Sequence, residues 1–290
     1  MRQIAAAFLL VLAVALTVYA GAGADVDPSS FESAPYLPRS HSHNDYARRI
    51  PLFEALKRGF ASVEVDVFLV DGALFVAHEL DEVRPTATLS GLYLDPLRDA
   101  IRKNGGSVYA RTDEPLQLLI DVKSEADDTY RALHETLRAY SDILTVWTRD
   151  GPRPGPVRAV LSGNRALTTV AAQAPRYVAI DGRIGEDRSS WTVDLMPLVS
   201  ANWEELGPTP EVRQAAARAL ADRLHAEGRK VRFWGTPERE VAWRSLLAMG
   251  VDYIGTDRVE DLDGWLRLRG KETPEGPAPE RSLGIDVSSP

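Results

Sequence analysis

Ser62-Val63-Glu64-Val65-Asp66-Val67 sets two carboxylates two residues apart, with valines alternating between and after them. On an extended strand successive side chains point to opposite faces, so Glu64 and Asp66 share one face and Val63, Val65 and Val67 take the other. Leu116-Gln117-Leu118-Leu119-Ile120-Asp121-Val122-Lys123 repeats the scheme as an apolar run ending in an acid and a base on one face. In a closed barrel the apolar face packs on helices and the acids turn inward, where a charge is costly unless it is paired or bound to a cation. Strand C-termini are also where barrels carry their sites.

Working outward, short β-like runs alternate with helical stretches from Pro38 to about Arg269. The strand candidates are Arg39 to Asn44, Ser62 to Leu69, Leu116 to Lys123, Val157 to Ser162, Tyr177 to Ile184, Leu195 to Asn202, Lys230 to Trp234 and Tyr253 to Thr256. Helices are expected at Pro51 to Arg58, Asp95 to Lys103, Asp127 to Ala139, Arg165 to Gln173, Pro210 to Glu227, Glu238 to Met249 and Val259 to Arg269. The clearest is Pro210 to Glu227, with Val212, Ala215, Ala216, Ala219, Leu220 and Leu224 at helical spacing and Gly228 as its stop. Such alternation predicts a parallel α/β fold, and eight units favour a single (β/α)8 TIM barrel over 39–270. Asp71-Gly72 predicts a tight hairpin turn that carries the second strand on into Ala73 to Ala77. The chain shows no internal repeat and no second domain.

Composition narrows the function classes. The 290 residues are 44% hydrophobic and 26% charged, with net charge -8 and a pI near 5.3. That balance argues against nucleic-acid or anionic-membrane binding, while leaving room for one cationic pocket around a phosphate. There is no cysteine, so thiolate metal sites and cysteine nucleophiles are excluded and oxygen and imidazole ligands favoured. Met1-Arg2-Gln3, an apolar run from Ile4 to Tyr19 and Ala20-Gly21-Ala22-Gly23-Ala24 read as a cleavable signal peptide over 1–24, cut after Ala22 or Ala24. The expectation is a secreted or periplasmic protein with no later stretch able to span a bilayer and no inferred protein partner. A polar lead fills 25–38, and 271–290, rich in Pro, Glu, Gly and Ser, reads as a disordered tail.

The chemistry-bearing residues cluster. Glu64, Asp66 and Asp121 can converge on one hard divalent cation, Mg2+ or Ca2+, with Lys123 adding positive charge for a substrate phosphate. The competing reading is an ion-pair network of the same acids with Lys123 and Arg232. His41 and His43 share a face if the first strand persists, and His78 lies in Val76-Ala77-His78-Glu79. Two imidazoles on opposite sides of a phosphate can act as base and acid without a covalent intermediate. His134 and His225, on helices, read as hydrogen-bonded structural residues. A Zn site is disfavoured, because no ligand histidines follow His78 at later strand ends. Arg232 and Trp234 share a strand face and can line the mouth with Asn202 nearby, although Trp234 can equally fill the barrel. A glycosidase would use Glu64 and Asp121 as paired carboxylates, but Lys123 and the histidines suit phosphate better.

Taken in order, His41-Ser42-His43-Asn44-Asp45-Tyr46, Pro51-Leu52-Phe53-Glu54-Ala55-Leu56, Glu64-Val65-Asp66-Val67, His78-Glu79, Leu119-Ile120-Asp121-Val122-Lys123, Ser200-Ala201-Asn202-Trp203, Arg232-Phe233-Trp234-Gly235-Thr236-Pro237 and Gly250-Val251-Asp252-Tyr253-Ile254-Gly255-Thr256-Asp257 resemble one family. It is the phospholipase-C-like phosphodiesterase superfamily, which includes glycerophosphodiester phosphodiesterases and phosphatidylinositol phospholipase C types. The nearest branch is that of altered inheritance of mitochondria protein six. The resemblance implies a (β/α)8 barrel in which Glu64, Asp66 and Asp121 bind one divalent cation and a histidine pair performs acid-base chemistry. The expected activity is metal-dependent hydrolysis, or cyclising cleavage, of a small-molecule or lipid head-group phosphodiester. The Arg-Gly that follows the first histidine in glycerophosphodiesterases is absent here, as is their Pro-Glu-Asn element, so His41 and His43 both stand as the first catalytic histidine. His43 is preferred as nearer the strand end, with His78 as its partner and His41 beside the metal. The alternative from another class is a non-catalytic exported binding protein that retains the barrel and its metal.

Overall fold

The computed structural model describes residues 35–110 and 112–269; the expected signal peptide, most of the polar lead and the expected tail lie outside them. The described strands are β1 (Leu37–Ser42), β2 (Phe60–Val70), β3 (Ala73–Val76), β4 (Leu116–Val122), β5 (Val146–Thr148), β6 (Gly151–Arg153), β7 (Val157–Gly163), β8 (Ala179–Arg183), β9 (Leu198–Asn202), β10 (Lys230–Trp234) and β11 (Tyr253–Thr256). The α-helices are α1 (Phe53–Leu56), α2 (Asp95–Lys103), α3 (Ala126–Arg138), α4 (Leu167–Ala172), α5 (Pro210–Ala226), α6 (Glu240–Ala248) and α7 (Val259–Arg269). β1, β2, β4, β7, β8, β9, β10 and β11 pair in parallel in that order, and β11 returns to β1, closing an eight-stranded barrel. All eight expected strands are present.

Two apolar layers hold the barrel. Val63, Val65 and Val67 are fully buried with Leu97 of α2, Leu133 of α3 and Leu224 of α5 in the large cluster between strands and helices. A smaller cluster of Leu119, Val160, Ala179, Leu198 and Tyr253 forms separately. Each of these five sits two residues before Asp121, Ser162, Asp181, Ser200 and Gly255 on its strand. Because the strands run the same way, the apolar plug lies toward their N-terminal ends, and the four polar residues and Gly255 lie above it toward the C-terminal mouth.

Several boundaries differ from the sequence reading for local reasons. β1 begins at Leu37 rather than Arg39, because Leu37 already pairs with Phe60 of β2; Arg39, at φ 67, falls within the irregularity where the register shifts between Leu37 and His41. It ends before Asn44, whose backbone is left-handed, and Asp45 closes the turn by accepting from Ser42 Oγ at 2.7 Å and Leu52 N at 2.5 Å. β9 starts after Pro197, which has no N–H to give a ladder. The hairpin at Asp71-Gly72 forms as expected, with φ 48 and 79 at its two turn residues joining β2 to β3. α5 is capped by Thr209 and buries Ala217, Leu220, Ala221 and Leu224. The expected stripe is therefore rotated, since Val212, Ala215 and Ala219 face solvent. The β5–β6 hairpin was not anticipated.

Candidate active site

The parallel register sets the acids in place before any side chain is considered. Asp66 lies opposite Asp121 across β2 and β4, and Asp121 lies opposite Ser162 across β4 and β7. Glu64 sits one step deeper on β2. One ligand oxygen from each of Glu64, Asp66 and Asp121 lies within 4.8 Å of the others, a spacing that one hard cation can bridge.

Each acid also has protein partners. Glu64 Oε2 meets His41 Nε2 at 2.8 Å and accepts from Arg232 Nη2 at 2.5 Å. Burial alone would raise the Glu64 carboxyl, but the Arg232 cation and the His41 bond hold it well below the usual carboxylate range. Asp66, with no exposed surface, accepts on Oδ2 from Tyr46 Oη at 2.8 Å and pairs with Lys123 Nζ at 3.0 Å. Its other oxygen, Oδ1, is buried without a hydrogen-bond partner, and an orphaned carboxylate oxygen among two further acids is what a bound cation satisfies. Asp121 is pushed up to about 6 by burial and by Glu64 and Asp66, against the opposing pull of Lys123 at 3.5 Å. Gly163 makes room for it: a Cβ there would come within 2.0 Å of Asp121 Oδ1, and the backbone carries φ 67.

The histidines divide into one buried and two at the mouth. His41 is wholly buried, with Nδ1 2.8 Å from Ser62 Oγ and Nε2 against Glu64. Burial and Arg232 lower it to about 4, so the ring is neutral. Gln117 Nε2 donates to Ser62 Oγ at 3.0 Å, which leaves the Ser62 hydroxyl proton for His41 Nδ1 and the Nε2–H for Glu64. His43 lies at the end of β1 with Nδ1 3.2 Å from Asp257 Oδ1. Burial opposes its protonation, but that bond and the Glu64 charge raise it above the usual imidazole value. His78, half exposed, has Nδ1 3.2 Å from Asp66 Oδ2 and 3.0 Å from Tyr46 Oη.

His43, His78, Glu64, Asp121, Lys123, Arg232 and Trp234 all line one cavity of about 280 Å³ at the barrel mouth. His41 and Asn202 do not reach it. Both ring nitrogens of His41 are engaged below the cavity, and the Asn202 amide oxygen instead accepts from Glu204 N at 3.0 Å, capping the turn Trp203–Leu206. On the helices, His225 bonds Asp252 at 2.8 Å as expected. His134 departs from its expected hydrogen-bonded role, packing between Tyr130 and Tyr177 with Nδ1 unpartnered.

The sequence reading passed over Ser162, Asp181 and Arg183, which line the opposite wall of the same cavity. The signal was present, because Asp181-Gly182-Arg183 repeats the acid-x-base ending of Asp121-Val122-Lys123. Asn44 at the mouth, and Arg48 and Asp257 around His43, were also missed; Arg48 Nη2 donates to Asp257 Oδ1 at 2.8 Å and to the His43 carbonyl at 2.9 Å.

The fold agrees with comparison to known proteins. The profile of the AIM6-like phosphodiesterase domain matches residues 34–181, about half of the chain. The chain belongs to the AIM6-like phosphodiesterase family. Its matched span takes in His43, His78, the three clustered acids, Lys123, Ser162 and Asp181. The glycerophosphoryl diester phosphodiesterase family matches residues 230–260, which hold Arg232, Trp234 and Asp257. Among relatives, altered inheritance of mitochondria protein 6 from Kluyveromyces lactis is 35% identical over 78% of this chain and 71% of its own. The Eremothecium gossypii protein of the same name is 31% identical over 79% and 69%, and a homolog from Arthroderma benhamiae is 27% identical over 78% and 82%. A crystal structure of a glycerophosphodiester phosphodiesterase from Parabacteroides distasonis superposes with TM-score 0.54 at 16% identity, over 82% of this chain and all of that one. It bears on the fold alone, a phosphodiesterase-type TIM barrel.

Proposed function

We propose that this AIM6-like phosphodiesterase cleaves a small-molecule or head-group phosphodiester by acid-base catalysis between His43 and His78 over a divalent cation, Mg2+ or Ca2+. The observation that carries the reading is one cavity with Glu64, Asp121 and Lys123 in its wall, the buried Asp66 beside them, and His43 and His78, from the loops after β1 and β3, at its rim. Glu64, Asp66 and Asp121 would hold the cation, with Asp66 Oδ1, which has no hydrogen-bond partner, as the clearest ligand atom. When bound, the cation supplies charge neutralisation at the phosphate oxygens.

The chain's own groups do the rest. Lys123 places its ammonium beside the acids, where an anionic phosphate adds a further counter-charge. Asp257 accepts from His43 Nδ1–H, which leaves Nε2 with its lone pair as the base. His43 takes the proton from a neighbouring substrate hydroxyl, whose oxygen attacks phosphorus, and His78 delivers a proton to the departing oxygen. The product is a cyclic phosphate, released as such or opened by water with the two histidines exchanging roles. Tyr46 and Asp66 orient His78, and His41, tied to Ser62 and Glu64, fixes the Glu64 carboxylate. Export forms part of the same proposal and rests on the Ile4 to Tyr19 run and the small residues after it.

The ion pairs Arg232–Glu64 and Lys123–Asp66 favour a second reading, a binding protein whose acids are balanced by cations without turnover. Turnover of an aryl phosphodiester separates the two. The enzyme reading expects activity that disappears on metal stripping, returns with Mg2+, Ca2+ or Mn2+, and is lost in His78→Ala and Asp121→Ala. Inactivity toward aryl, lipid and glycerophospho diesters alike would select the binding protein.

A further inference from the structure

A second polar layer lies below the apolar plug, at the end of the barrel remote from the catalytic mouth. Gln117 and Arg158 are side by side across β4 and β7, each two residues before a plug residue, Leu119 and Val160, so both point inward. Lys230 opens β10 with the parity of Arg232 and lies beside Leu198 of the plug. These three line one cavity of about 250 Å³, and the β5–β6 hairpin supplies Trp147 and Pro152 to its wall. Trp147 is held there by backbone pairing with Arg176, whose guanidinium sits 4.3 Å above the indole ring.

Charge in this cavity is unbalanced. Asp194, the one acid among the described residues that line it, already answers Arg176: burial lowers that guanidinium to about 10, the Asp194 carboxylate opposes the shift, and Arg176 Nη2 donates to the Asp194 carbonyl at 2.9 Å. Among the described residues no carboxylate forms an ion pair with Arg158 or Lys230, and the partly buried Arg158 guanidinium makes no hydrogen bond. Lys230 Nζ donates to Tyr253 Oη at 3.1 Å, which leaves two of its three hydrogens. The Gln117 amide nitrogen is taken by Ser62. At the mouth, by contrast, Lys123 and Arg232 each have a carboxylate within 3.0 Å. In a chain of net charge -8, two cations turned into one cavity without an acid are what an anion would satisfy.

The cavity falls below the about 300 Å³ at which pockets for drug-sized ligands begin, so its ligand is small. A guanidinium fork takes two oxygens of a carboxylate or a phosphate, and an ammonium adds a point charge to either. Trp147, Pro152, Pro154 and Val193 offer an apolar surface beside the two cations. We infer that the N-terminal end of the barrel is an anion site, in which Arg158 and Lys230 bind the carboxylate or phosphate of a small molecule whose apolar body lies against Trp147 and the prolines. The plug separates it from the catalytic cavity, and the inference stands whether or not the mouth cleaves a diester.

The test is calorimetry on the full, metal-stripped chain with benzoate, phenyl phosphate and uncharged benzyl alcohol as probes. At least one anion should bind saturably, about tenfold or more tightly than benzyl alcohol, and about tenfold or more weakly in Arg158→Gln/Lys230→Gln. Lys123→Gln, which removes a cation of the mouth, should bind it as wild type does. Tighter binding of benzoate would support the site as one for carboxylates, and tighter binding of phenyl phosphate as one for phosphate monoesters. Lys230→Gln alone changes an exposed side chain and should weaken binding part-way at an unchanged melting temperature, which keeps the test decisive should the double variant unfold. No saturable binding of either anion below about 10 mM, equal affinity for benzyl alcohol, unchanged binding in both the double variant and Lys230→Gln, or loss of binding in Lys123→Gln would overturn the inference.

Discussion

Two buried aspartates at the same level of the barrel each carry one oxygen without a partner, and their surroundings give those oxygens opposite needs. Asp66 stands among Glu64 and Asp121, so three carboxylates face two cations, Lys123 and Arg232. Asp181 stands with one guanidinium and one hydroxyl and is already balanced. The first half of the mouth is therefore short of positive charge and the second is short only of a hydrogen. Burial penalises an unpaired polar group in both places, but only the first deficit calls for a metal. The two halves of the mouth therefore differ in charge: the acid cluster stands on β2 and β4, and the balanced Asp181 group on β7 and β8.

The largest effect that sharpens this contrast is expected at the metal half. Asp121→Ala should reduce metal-dependent turnover by well over the about 10- to 100-fold that losing an outer partner of a metal ligand costs, with the barrel still folded by circular dichroism. Metal-dependent turnover near wild type in that variant would break the comparison. Next come the two histidines of the mouth: His43→Ala and His78→Ala should each lower kcat by about 10²- to 10⁴-fold, as expected for loss of a general acid or base, while calorimetric affinity for the cation changes little. Similar rates in wild type and both variants would remove the acid-base assignment.

His41→Ala tests the buried partner of Glu64. It removes one of two donors to Oε2 while Arg232 remains, so metal affinity should weaken by about 10- to 100-fold without a shift in the pH profile. A moved pH profile would mean that His41 itself exchanges a proton with substrate. The smallest expected effect is at Asp257. His43 is raised by its bond to Asp257, so it stays protonated to higher pH than a free imidazole and works as a base only above that point. Asp257→Asn removes the carboxylate, lowers the His43 value, and should move the acidic limb of the kcat/KM profile to lower pH with a modest change in the plateau. A limb that stays in place would separate His43 from the base.

Much of this was legible in the sequence because strand alternation is strict. Glu64, Asp66, Asp121 and Lys123 declare their inward face by parity, and the valines beside the first two declare the outward one. Arg232 and Trp234 follow from the same rule, and the Asp71-Gly72 turn from its residue types. Depth along the strand was less legible. His41 and His43 have the same parity, yet one lies under the cavity and the other in its wall, because His41 is within β1 and His43 follows its last residue, where Asn44 turns the chain. Asn202 has the parity of a mouth residue but spends its side chain on capping the next turn. Asp181 and Arg183 were readable in principle and were passed over because Gly182 interrupts the apolar run that made Asp121 and Lys123 conspicuous. The rotated stripe of α5 has a different cause: an alanine-rich helix offers many equivalent faces, and packing chooses the one through Leu220 and Leu224.

The most direct test of the contrast between the two orphaned oxygens is calorimetric titration of the metal-stripped protein with Mg2+ and Ca2+, in wild type, Asp121→Asn and Asp181→Asn. The account predicts one divalent site in wild type, its loss in Asp121→Asn and its retention in Asp181→Asn. Retained binding in Asp121→Asn, or lost binding in Asp181→Asn, would contradict it.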